Sequence, residues 1–78
     1  MSAVRTTPLP ADIVDVRGRR VRLGDRVIDL DNGGTCRVID YNPDLGEESL
    51  YVRTIGGVGP VMSYWIEPGS LKVLGASG

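Results

Sequence analysis

The chain has 78 residues, 41% hydrophobic and 24% charged, with a net charge of −1. This is ordinary globular usage and excludes a disordered chain or one built for blanket binding to nucleic acid. So short a chain buries only about 60% of its unfolded surface on folding, enough for one compact core.

Taken in chain order, residues 1–11 hold Pro8 and Pro10 and few apolar side chains, and read as a flexible tail. Residues 12–75 then read as a single all-β domain, with 76–78 as a C-terminal tail. From Ile13, apolar and polar residues alternate around Gly18-Arg19 (Val14, Val16, then Val21, Leu23), the pattern of a short β-ribbon. Arg26 to Leu30 is a β-rich run, and Asp31-Asn32-Gly33-Gly34 is the strongest turn signal in the sequence, because Asn and Gly accept positive φ. Thr35 to Tyr41 alternates next, with Cys36 and Val38 on one face and Thr35, Arg37, Ile39 and Tyr41 on the other. A polar loop around Pro43 leads to Leu50–Ile55. Gly56 to Pro60 turns the chain into Val61–Glu67, and Pro68-Gly69-Ser70 separates that run from Leu71–Leu74. No window carries the i, i+3, i+4, i+7 period of an amphipathic helix. Short strands at intervals of about ten residues predict a small sandwich or barrel. Val27, Val38, Val52, Trp65, Leu71 and Val73 are its expected core.

Three stretches resemble an SH3-like small barrel of the Tudor or KOW type: Leu23-Gly24-Asp25-Arg26-Val27, Gly34-Thr35-Cys36-Arg37-Val38-Ile39, and Trp65 through Leu74. Many such barrels open on G-D-x-V, use G-x-x-x-V for the second strand, and close with a one-turn break before a short final strand. The stretch from Asp15 to Val21 also resembles the leader ribbon of small barrels in actinobacterial and phage proteins. The resemblance implies about five short strands, preceded by the ribbon and the tail. It implies no particular activity, because one fold hosts many.

Catalysis is not expected. Histidine is absent and the single cysteine, Cys36, sits in line with Val38 as a small core residue. With one thiol, an internal disulfide is impossible and the usual zinc sites cannot be assembled from this chain alone. Asp29 and Asp31, or Glu47 and Glu48, lack the spacing of a calcium loop and read as a solvated face. The glycines of 56–59 precede no helix that could hold a phosphate. No cofactor is expected, nor a small-molecule substrate. No apolar run approaches the roughly 18 residues of a membrane span, and Met1 to Pro10 has no secretory signal, so the expected location is the cytoplasm, or a virion if the chain is phage-encoded.

Two groups of side chains remain as candidates for binding. Tyrosine and tryptophan are enriched at interfaces. With Trp65 expected inside, Tyr41, Tyr51 and Tyr64 form the candidate anchors for a protein partner or a second copy, which is the leading expectation. The alternative is nucleic acid. Residues 1–26 carry six arginines against three aspartates, while residues 27–78 carry three basic against seven acidic side chains. Arg17, Arg19, Arg20 and Arg22 crowd the ribbon and could meet one phosphate-rich partner. A structural role in a phage particle or another assembly is the third expectation.

Overall fold

The computed structural model describes residues 9–56 and 59–75. The expected tails therefore fall outside the described residues over 1–8 and 76–78. Five strands form: Arg26–Asp29 (β1), Thr35–Tyr41 (β2), Leu50–Thr54 (β3), Ser63–Ile66 (β4) and Leu71–Gly75 (β5). They make one antiparallel sheet in the order β4-β3-β2-β1-β5. The only helical segments among the described residues are 3-10 turns, Pro43–Leu45 and Pro68–Ser70. The protein is all-β, as the two-residue period predicts. Among the described residues no helix is long and apolar enough to cross a membrane.

The β1–β2 turn shows how locally the strands are set. Gly33 takes φ +76°, a left-handed value that strains any residue with a Cβ. Its N–H donates to the Asp29 carbonyl at 2.7 Å, and the Gly34 N–H donates to Asn32 Oδ1 at 2.7 Å. The turn thereby satisfies its own polar groups and fixes the register that follows.

The core lies on one side of the sheet. Val27, Val38, Val52, Leu71 and Val73 are each 5% exposed or less, and Val21, Cys36 and Leu50 are fully covered. Leu9 is 3% exposed and belongs to the same cluster, and its carbonyl accepts a bond from Arg20 Nη2. One leucine within the stretch read as a tail thus supplies apolar surface that the small core uses.

Three expected side-chain directions, those of Tyr41, Tyr64 and Trp65, are reversed. The β2–β3 register slips between Val38 and Asp40, so Ile39 is the extra residue of a bulge. Beyond it the alternation changes sign: Asp40 stands opposite Tyr51 on the outer face, while Tyr41 stands opposite Leu50 and packs against the core. In β4, Ile66 is buried, and Tyr64, two residues before it, turns to the core side. Trp65 therefore points outward and is only half-buried. Adjacent strand residues must take opposite faces, and it is tyrosine, not tryptophan, that goes in.

The ribbon reduces to one bridge, Val14 with Arg20, and lies along β5. Val16 N–H donates to the Leu71 carbonyl at 3.0 Å, and Val73 N–H donates to Asp15 Oδ2 at 2.8 Å. Asp15 Oδ1 also accepts the N–H groups of Arg17 and Arg19. One buried carboxylate thus closes the ribbon's turn and pins it to the last strand.

Candidate functional site

Register brings together on the outer face what the sequence keeps apart. Arg26 stands opposite Arg37, Arg37 opposite Arg53, and Arg53 opposite Ser63. Cys36 and Val38 on either side of Arg37 point inward, so these arginines share the outer face. Directly opposed Cα atoms lie about 4.5 or 5.5 Å apart, depending on pair type, which makes the arginine row about 10 Å long.

Like charges facing one another across strands destabilise a sheet, and among the described residues no carboxylate is hydrogen-bonded to this row. Among the described residues, guanidinium groups hydrogen-bond only to Ser63 Oγ, from Arg53 Nε at 3.2 Å, and to the Leu9 carbonyl, from Arg20. Arg37 Nε is buried without an acceptor among the described residues. A donor that has lost water and gained no partner is uncommon in a folded protein and carries a free-energy cost.

Tyr51 lies two residues along β3 from Arg53, about 7 Å away on the same face. It is paired with Trp65, their ring centroids 4.7 Å apart and tilted by 38°. The closeness follows from the ladder. Thr54 N–H donates to the Met62 carbonyl, which makes positions 54 and 62 a hydrogen-bonded pair. Tyr51 and Trp65, an odd number of positions away, fall in the narrow, non-hydrogen-bonded class whose side chains approach most closely. Both rings are half-buried. Asp40 borders Tyr51, with Oδ1 accepting the Tyr41 N–H at 2.7 Å. Farther along, Glu47, Glu48 and Glu67 line a hollow with Leu45. Charge along the face thus runs from an arginine row, through an aromatic pair, to an acidic end.

The residues singled out from sequence are distributed differently. Of Tyr41, Tyr51 and Tyr64, only Tyr51 faces outward. Arg17, Arg19, Arg20 and Arg22 are all exposed at the ribbon. Arg17 and Arg19 line one hollow with Asp15; Arg19, Arg20 and Arg22 line another with Asp25. Each hollow thus has a carboxylate in its wall. The backbone amides of Arg17, Arg19 and Arg22 already donate to those carboxylates, so these three amides are not offered to a phosphate. Asp29, read as part of a solvated face, is 4% exposed, because Tyr64 carries its hydroxyl across to it.

That hydroxyl donates to Asp29 Oδ2 at 2.7 Å, lies 3.4 Å from Cys36 Sγ, and receives Asn32 Nδ2 at 3.4 Å. Burial, with the Cys36 and Asp29 contacts, pushes the Tyr64 phenol far above its ordinary range. Burial also raises the Cys36 thiol, so it stays protonated and weakly nucleophilic. The cluster is a clasp between β4 and the β1–β2 turn. Tyr64→Phe should cost about 1–2 kcal/mol in denaturant unfolding, since it strands a charged acceptor that is nearly out of solvent. A loss too small to measure would mean that the hydroxyl is not needed there.

Among the described residues no three or more His, Cys, Asp or Glu side chains are grouped to hold a metal ion. No protein-family model, no curated protein and no solved structure matches the chain.

Proposed function

We propose that this chain is a non-catalytic binding module, a small SH3-like barrel of the Tudor or KOW type, that holds a short stretch of single-stranded nucleic acid across the outer face of its sheet. Phosphates lie along Arg26, Arg37 and Arg53, and a base stacks on the Tyr51–Trp65 pair. The observation that carries this reading is the uncompensated row. Three opposed guanidinium groups, one with a buried and unpaired Nε, are costly in the isolated protein and well matched to a polyanion. Stacking on an aromatic surface contributes about 1–3 kcal/mol per base and is tolerant of sequence.

A protein partner remains the second reading, and Tyr51 with Trp65 is the observation that favours it, since half-buried aromatic pairs also anchor protein contacts. The acidic end beyond the aromatics limits the nucleic-acid footprint to a few nucleotides, which accords with a net charge of −1.

Trp65 is the only tryptophan and reports directly. Titration with a short oligothymidylate should quench its fluorescence. With three phosphates neutralised, log K should fall against log salt with a slope of about −2. No quenching and no retention of the oligonucleotide at low salt would refute this reading. A partner protein that binds through Trp65 with little dependence on salt would put the second reading in its place.

A further inference from the structure

The two edges of the sheet are treated differently. Along β5 the ribbon occupies the outward backbone groups, through Val16 to Leu71 and Asp15 to Val73. Along β4 nothing equivalent is found among the described residues. Because Thr54 N–H bonds the Met62 carbonyl, Met62, Tyr64 and Ile66 direct their backbone groups to β3, and Ser63 and Trp65 direct theirs away from the sheet. No lysine, proline or bulge blunts Ser63–Ile66, the devices that normally protect an edge.

We infer that β4 pairs with β4 of a second copy, antiparallel about a two-fold axis at Tyr64. The occupant is identified by self-complementarity. Centred on Tyr64, the outward groups of Ser63 meet those of Trp65 in the other copy, and the reverse, giving four hydrogen bonds with no group left over. Met62, 49% exposed in the single chain, falls opposite the other copy's Ile66 on the core side. Val61, 71% exposed, falls opposite Glu67. No like charges face each other anywhere in the register. Pro60 falls opposite Pro68, so the two residues that cannot donate coincide and bound the contact at both ends. On the outer face, the row Arg26–Arg37–Arg53–Ser63 continues into Trp65, Tyr51 and Asp40 of the second copy, which sets the arginines of one copy in line with the aromatic pair and the carboxylate of the other. The pairing stands independently of any nucleic acid.

The test is sedimentation equilibrium of the full chain without nucleic acid, together with amide hydrogen exchange across a range of concentrations. Dimer is expected at about 100 µM, with the Ser63 and Trp65 amides gaining protection as concentration rises. Met62→Lys sits at an exposed position and should fold normally, yet raise the dimer dissociation constant at least about tenfold by setting an ammonium against Ile66. Ser63→Pro removes an outward donor and should act in the same direction. A monomer at about 100 µM with both amides exchanging freely would overturn the inference. So would a dimer indifferent to both substitutions, since its interface would lie elsewhere.

Discussion

Arg53→Glu is expected to weaken oligonucleotide binding by about 10- to 100-fold while leaving the protein as stable as before, or more stable. The two effects have opposite signs for one physical reason. In the free protein Arg53 faces Arg37 across the β2–β3 ladder, so a carboxylate at that position turns a repulsive pair into an attractive one, a change of about 0.2–1 kcal/mol in favour of folding. Toward a phosphate backbone the same substitution removes a charge-assisted bond and adds repulsion. Binding should be read by Trp65 fluorescence and stability by thermal melting. A destabilised Arg53→Glu would show that the residue holds the fold together, and its effect on binding would then say nothing about the site. The paired change Arg17→Glu with Arg19→Glu serves as the control and should alter affinity by no more than about threefold. If it abolished binding, the ribbon would be the site.

The second large effect is expected at Asp15. Three backbone N–H groups converge on its carboxylate, from Arg17, Arg19 and Val73. The side chain is 4% exposed. Asp15→Ala should cost about 2–4 kcal/mol, because the Val73 N–H is buried and has no other acceptor, while the turn amides can partly recover water. For a domain of this size each kcal/mol shifts the melting temperature by about 4–8 °C, so the variant should melt far below the wild type. Acidity gives an independent measure. Burial alone would raise the Asp15 carboxyl, but the Val73, Arg19 and Arg17 amides, with the Arg17 charge, outweigh it and hold the group below its ordinary value. A lowered folded pKa means stability that is fully present above about pH 4, the unfolded carboxyl range, and lost as pH falls through the folded value. Wild-type protein should therefore lose stability below pH 4 more steeply than Asp15→Asn. Parallel acid profiles for the two would show that Asp15 does not contribute in this way.

Much of the fold is legible in the sequence because it is encoded over short distances. The alternation of Thr35 to Val38 and of Leu50 to Val52, and the Asn32-Gly33 turn, are properties of neighbouring residues, and the five strands follow from them. What escapes is set by partners far along the chain. The Ile39 bulge depends on how β2 meets β3, and it moves Tyr41 from the outer face to the core. That Tyr64 and Trp65 take opposite sides follows from their adjacency; which goes inward depends on Asp29, 35 residues away, which receives the tyrosine hydroxyl. Asp15 reaches 58 residues to Val73, and no local pattern announces such a bond.

The candidate site shows the same division. Arg17, Arg19, Arg20 and Arg22 draw notice because they are close in sequence, yet their turns are occupied by Asp15 and Asp25. Arg26, Arg37 and Arg53 are separated by 11 and 16 positions and become a row only when the register sets them opposite one another. With strand registers in hand, a search for like charges facing each other would have found it.

The ribbon laid along β5 also bears on how far assembly can go. A sheet with two open margins adds molecule upon molecule and grows into a fibre, because each addition presents a fresh margin. Here one margin is occupied by the chain's own Asp15 and Val16, so two copies joined at β4 leave only ribbon-covered strands at the ends. Such a complex is finite by construction, and loss of the ribbon would expose the protein to open-ended polymerisation.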